Sequence, residues 1–256
     1  MPHIKVIIGL VIFVLGFISE NACVAGEAIK VLKTDGELTV SNIADSKQKT
    51  VQIQDTLPPG NILTTGANGR AVVRVGSTGI IVMEKNSRVE INTTNDHAGF
   101  FRQLTGKIYY AVNTLNKNDH ALEIRIKTAT MGVRGTRFLV TDTPERNDVG
   151  MRKGTLSVAS PSDEFEIHKQ SEQDEFEALK RETQAAITEE KHQFEEYKEN
   201  TQREFIEFKH EFALGKDRMV SFDGKRVDDR PLSGETKKDM ETLEGYAEKW
   251  LTEVQD

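Results

Sequence analysis

Residues Thr128-Ala-Thr-Met-Gly-Val-Arg-Gly-Thr-Arg-Phe-Leu-Val140 read TATMGVRGTRFLV, a β segment interrupted by two glycines and two arginines. An anion-binding loop, a catalytic turn and a structural kink would each account for the interruption. The apolar spacing discriminates among them. Ala129, Met131 and Val133 occupy odd positions, whereas Phe138 and Val140 occupy even ones. Side chains alternate faces along a strand, so the apolar phase slips by one residue across Val-Arg-Gly-Thr. One extra residue is a β-bulge, and glycine supplies the positive φ that a bulge demands. Leu122, Ile124 and Ile126 are even, which places a second slip near 128–130. Gly132, Gly135 and Thr136 therefore set the shape of this strand. On the anion reading, Arg134 and Arg137 would flank a site built from glycine amides. Phosphate loops lead into a helix N-terminus. Here Phe-Leu-Val continues the strand, and Gly-x-x-x-x-Gly-Lys is absent. The kink is the better reading, with both arginines as candidates for an exposed contact.

Outward from this stretch, residues 27–160 are strand after strand. Val31–Val40 carries Asp35-Gly36 between two short apolar runs, a strong hairpin signal. Short alternating or apolar runs follow at Thr50–Gln54, Ala71–Val75, Ile80–Met83, Arg88–Ile91, Lys107–Val112, Leu122–Lys127 and Gly154–Val158. Gly or Asn punctuates nearly every gap. Short strands about ten residues apart indicate an all-β sandwich, barrel or solenoid.

The pattern changes near Ser160-Pro-Ser162, and so does the charge. Residues 1–162 hold 19 Lys+Arg against 14 Asp+Glu, and residues 163–256 hold 15 against 27. Ser171 to Leu214 contains neither Pro nor Gly and is crowded with Glu, Lys, Gln and Ala. That composition predicts a helix over 171–214, roughly 60 Å long at 1.5 Å per residue. Phe176, Phe194, Phe205 and Phe212 fall near one face, widened by Leu179, Ile187, Tyr197 and Phe208. Such a rod is longer than a β body of this size, so part of its apolar stripe would overhang and need a partner. Phe194, Tyr197, Phe205 and Phe208 are the candidate interface, in self-association or with another protein. Residues 218–256 predict a second Asp-Gly hairpin at Asp223-Gly224. A helix capped by Ser233 follows, with an apolar face of Met240, Leu243, Tyr246 or Ala247, Trp250 or Leu251, and Val254.

At the other end, Val6–Ile18 is an apolar run after Lys5, suited to a signal-peptide core and short for a membrane span. Residues 1–25 read as a signal peptide, with cleavage after Ala25 or Gly26. The protein is then periplasmic or secreted, touching the membrane only through that sequence. The rival reading is an uncleaved anchor. A lipoprotein acylated at Cys23 fits less well, because Glu20 stands where an apolar residue belongs. Cleavage removes Cys23, the sole cysteine, and with it any disulfide or thiolate metal site.

No catalytic constellation stands out. The six histidines form no His-Glu-x-x-His or other close metal pair. His192 and His210 would lie about 27 Å apart on a helix, too far to share an ion. Gly-x-Ser-x-Gly is absent. Neither half carries a dense basic run with interleaved aromatics, which argues against nucleic acid. The chain is read as non-enzymatic, without metal or cofactor.

The stretch 128–140 resembles the Gly-(Val/Thr)-x-Gly-Thr-x-Phe signature of the FecR domain, including Phe138. Leu57–Gly66, Arg70–Val75 through Asn86–Ile91, Gln103–Tyr110 and Arg152–Val158, with Gly154, look like the same family in the same order. The resemblance covers about 27–160. It implies an extracytoplasmic all-β module, an elongated β-sandwich or solenoid-like body, best known from regulators that relay a signal from outer-membrane transporters to a cytoplasmic anti-sigma segment. Only five residues precede the apolar run, so no such segment is expected here. The expected function is binding, sensing or scaffolding in the cell envelope, with the long helix for assembly. A membrane-anchored signalling regulator is the alternative, and an envelope enzyme the least favoured reading.

Overall fold

The structure is a computed structural model that describes residues 29–42, 47–57, 60–77, 79–92, 100–113, 122–169 and 206–254. The proposed signal sequence and residues 170–205, which carry Phe194, Tyr197 and Phe205, lie outside them. In chain order the strands are β1 (Ile29–Asp35), β2 (Leu38–Asn42), β3 (Lys49–Thr50), β4 (Thr56–Leu57), β5 (Asn61–Thr65), β6 (Arg70–Val75), β7 (Gly79–Met83), β8 (Arg88–Asn92), β9 (Phe100–Val112) and β10 (Leu122–Arg125). They continue with β11 (Thr130–Val133), β12 (Arg137–Asp142), β13 (Asn147–Lys153), β14 (Leu156–Ala159), β15 (Phe165–Lys169), β16 (Ile206–Lys209), β17 (Glu211–Leu214), β18 (Arg218–Asp223) and β19 (Arg226–Pro231). Helix α1 (Gly234–Leu251) follows.

The strands form two open ladders. Ladder A runs β4-β1-β6-β7-β9-β12-β13-β18-β19-β15-β16, antiparallel except where β15 meets β19. Ladder B runs β3-β2-β5-β8-β9-β10-β11-β14-β17, antiparallel except between β9 and β10. Strand β9 belongs to both. Residues 100–105 pair in ladder B and 106–112 in ladder A, with the change at Gly106.

The same transfer recurs along the chain. The pairs β1/β2, β5/β6, β7/β8, β11/β12 and β13/β14 each place one strand in either ladder, joined by a short corner. Long bent strands thus lie side by side, and one core draws from both ladders. Val31, Val73 and Ile81 come from A, and Leu38, Leu63 and Ile91 from B. Each such side chain, fully buried, contributes roughly 1.5–3 kcal/mol.

The structure departs from the sequence expectations at three turns. The phase slip in TATMGVRGTRFLV is a corner between ladders, not a bulge within one strand: β11 ends at Val133 and β12 starts at Arg137 in the other ladder. Its companion slip is a tight turn joining β10 to β11, where the Ile126 N–H donates to the Ala129 carbonyl at 2.9 Å. Asp35-Gly36 is likewise no hairpin, since β1 and β2 do not pair with each other. A Cβ on Gly36 would stand 2.2 Å from the Asn68 carbonyl oxygen, because the neighbouring corner passes there. The second Asp-Gly does turn the chain back on itself, β18 pairing with β19 across Gly224 and Lys225.

The helix expected over 171–214 does not extend through 206–214. Those residues are β16 and β17, paired to β15 and β14. Their local composition favours a helix, and pairing with an existing ladder overrides that weak preference. His168 pairs with Ile206, so the chain leaves and regains the same sheet edge.

Helix α1 lies on the outer face of ladder A. Ser233 Oγ accepts from the Thr236 N–H at 3.1 Å, capping the first turn. Met240, Leu243, Ala247 and Leu251 then bury against Val72, Ile80, Val82, Tyr109, Ala111 and Leu139. A strand covered on both faces reads as a continuous apolar run, which is why Ile80-Ile-Val-Met83 does not alternate. Gly150 permits the close approach. A Cβ there would come within 3.0 Å of Leu232, Thr236 and Met240 side-chain atoms.

Candidate partner-binding surface

The motif residues converge on the corner line. Ser87 Oγ donates to the Lys107 carbonyl and accepts from the Lys107 N–H, both at 3.1 Å. Thr65 Oγ1 accepts from the Ser87 N–H at 2.9 Å and donates to the Glu84 carbonyl at 2.7 Å. Gly106 sits against them with φ of 97°, and a Cβ there would be 2.4 Å from Ser87 Cα. Inside the same bend, Gln103 Nε2 donates to the Gly106 and Val140 carbonyls at 2.8 and 3.2 Å, and the Tyr110 hydroxyl donates to Gln103 Oε1 at 3.0 Å. Burial and the nearby Asp142 carboxylate push the Tyr110 phenol far above its ordinary value, keeping it a neutral donor. The ring of Tyr110 stacks on Phe138 and Phe101, with centroids 5.3 and 6.3 Å away.

The opening motif supplies the next corner. Gly135 has φ of 60° and Gly154 φ of 84°. A Cβ on Gly154 would lie 2.7 Å from the Gly135 carbonyl oxygen and 2.8 Å from Thr136 Cγ2, so the corners of β11/β12 and β13/β14 nest together. Thr136 and Phe138 are fully buried. Gly132 is an ordinary strand residue whose nearest neighbour, Ser157 Cβ, would be 3.6 Å from an added Cβ.

Arg134 and Arg137 part company at this corner. Arg134 is exposed and lines a groove of about 620 Å³ with Gly132, Ser157, Phe212 and Ala213, across the end of ladder B. Arg137 is half-buried beside α1, and its Nη2 donates to the Leu251 carbonyl at 3.3 Å. A cation there also meets the negative end of the helix dipole. Arg137 lines a different, open groove of about 1000 Å³ with Arg152, Lys216, Glu244 and Leu251. The two arginines do not converge on one site. Phe208, placed on the helix stripe by its sequence, lies on strand β16 with 62% of its surface exposed.

No local pattern points to the polar seam that fixes α1. Arg146 pairs with Glu235, Lys107 with Asp239, Arg152 with Glu244 and Arg74 with Glu253. Glu244 also accepts from the otherwise buried Tyr109 hydroxyl at 2.6 Å. Burial, reinforced by that carboxylate, raises the Tyr109 phenol far above its usual range. Lys33 Nζ stands 3.8 Å from the Tyr246 ring centroid. Each pair unites residues distant in sequence, which periodicity cannot join. Among the described residues, no group of three or more His, Cys, Asp or Glu is arranged to hold a metal.

Residues 61–157 match the model of the family described as FecR protein. No curated protein sequence matches the chain. Two crystal structures of a candidate anti-sigma factor from Parabacteroides distasonis are similar. One aligns with a TM-score of 0.46 at 10% identity over 72% of this chain, and the other with 0.37 at 12% over 81%. The chain spans 65% of the length of each.

Proposed function

We propose, starting from the FecR domain that residues 61–157 constitute, that this protein is an exported, non-catalytic regulatory module that acts by contact with other envelope proteins. The observation that carries the reading is the destination of the motif residues. Thr65, Ser87, Gln103, Tyr110, Thr136 and Phe138 turn inward, and Gly106 and Gly154 let the corners close. The shared chemistry is thus architectural, and specificity falls to what the ladders present outward, beginning with Arg134 and its groove.

The test is crosslinking in intact cells with a photoreactive residue at position 134, followed by capture of the full chain. A discrete adduct to one envelope protein, lost in Arg134→Glu when the crosslinker is moved to Thr155 of the same groove, is expected. Absence of any adduct from either position would overturn the reading. A membrane-anchored relay is the second reading, favoured by the apolar run Val6–Ile18. Sequencing the N-terminus of the exported protein separates the two, because an anchored chain keeps Met1.

A further inference from the structure

Strand β16 is built inside out. Directly paired residues of an antiparallel ladder share a face. Lys209 pairs with Phe165 and Glu207 with Ile167, so the charged residues of β16 stand on the side where β15 sends its core residues. Ile206 and Phe208 pair with His168 and Glu166, on the outward side. Helix α1 does not reach this part of ladder A. Among the described residues β16 pairs with β15 alone, leaving its other edge open. The far ends of the ladders differ: β3 and β4 are two residues long, a length that blunts an edge.

We propose that β16 is a homodimer interface, with the occupant of its open edge the β16 strand of a second copy. An antiparallel self-pairing centred on Phe208 is self-complementary. It sets Phe208 opposite Phe208 of the second copy, Glu207 opposite its Lys209, and Lys209 opposite its Glu207. Ile206 falls opposite its His210. Aromatic and opposite-charge cross-strand pairs both stabilise a ladder, and a two-fold axis doubles each charge pair. The pairing adds a strand to ladder A without rearranging the core, and it brings the two outward phenylalanines together.

The full chain tests this by sedimentation equilibrium over a concentration series. The unmodified protein is expected to dimerise. Glu207→Lys and Lys209→Glu should each weaken the dimer at least tenfold, since each sets like charges opposite one another in a homodimer. Mixing these two variants should restore association as a heterodimer, because every facing pair is again opposite in sign. That rescue distinguishes a lost interface from a misfolded variant. Phe208→Cys should form an intermolecular disulfide across the axis under mild oxidation. A protein that stays monomeric at high concentration overturns the proposal. So does a dimer indifferent to both charge reversals, or variants that fail to associate when mixed.

Discussion

Replacing Gly106 with alanine is the most direct trial of the bent-strand architecture, with Gly132→Ala as its internal comparison. At Gly106 three costs combine. A φ of 97° is one that L-residues rarely adopt, at about 1–3 kcal/mol. The new Cβ would stand 2.3 Å from Ser87 Oγ and 2.4 Å from Ser87 Cα. Because Cα is backbone, the neighbouring corner must shift, and such overpacking costs roughly 1–3 kcal/mol. Moving Ser87 also endangers its two bonds to Lys107, about 1 kcal/mol each. Together these come to about 4–8 kcal/mol. Gly132 sits in β11 outside the positive-φ region, with 3.6 Å to the nearest atom, so alanine fits and stiffens the unfolded chain. A gain of roughly 0.5 kcal/mol is expected there. Urea unfolding of the two variants and the parent, with a common slope, measures both. A loss below about 1 kcal/mol at Gly106, or equal losses at both glycines, would show that the corner does not depend on close backbone approach.

The polar groups offer further trials. Gln103→Leu keeps the volume but strips the Tyr110 hydroxyl and the Gly106 and Val140 carbonyls of a partner, so urea unfolding should show a loss of about 2–3 kcal/mol. Glu244→Leu should cost about 2 kcal/mol and Glu244→Gln clearly less, because glutamine still accepts from Tyr109; thermal melts of the two rank them. Burial raises the Asp142 carboxyl above its ordinary value, so the folded state takes up its proton before the unfolded one does. That group therefore adds stability as pH falls through the window above the usual aspartate value, and the difference between the parent and Asp142→Asn across pH 3–6 should show it with that sign. The matched segment 61–157 expressed alone should aggregate or remain unfolded by circular dichroism, since it lacks β1 and β18 beside ladder A and α1 over its apolar face.

How much of this was readable from the chain depends on which distances a residue spans. The strands of 27–160 and helix α1 with its Ser233 cap follow from local alternation and capping chemistry. The slip in TATMGVRGTRFLV was visible too, yet its meaning was not. A one-residue phase change looks alike whether a strand bulges or leaves for another ladder. Asp35-Gly36 shows the same limit from the other side. The dipeptide turns the chain sharply wherever it stands, but the flanking strands pair elsewhere, β1 with β6 and β2 with β5, which local sequence does not reveal. Residues 206–214 defeat local reasoning because Glu, Lys and Ala suit a helix in isolation. A weaker signal lay beneath, since Ile206 and Phe208 alternate with Glu207 and Lys209, and Phe212 and Leu214 alternate with Glu211 and Ala213.

The bend also explains a spacing that straight-strand reasoning cannot. Gln103 and Tyr110 are seven residues apart on one strand, so in a straight strand they would face opposite ways. They bond at 3.0 Å because β9 changes ladders at Gly106, which reverses the sense of inward and outward along the rest of the strand. The register shift in ladder B falls at the same place: Arg88 and Val89 face Thr105 and Gln103, so Leu104 of β9 is the extra residue through which the strand makes this reversal. A glutamine, a glycine and a tyrosine at this spacing are therefore one structural unit: the glycine permits the corner, the glutamine ties its backbone and the tyrosine closes the ring of bonds. A motif of this kind specifies a shape. Under the proposed function, specificity then falls to the residues the shape turns outward, Phe208 of β16 and Arg134, which stands at a variable position of the motif.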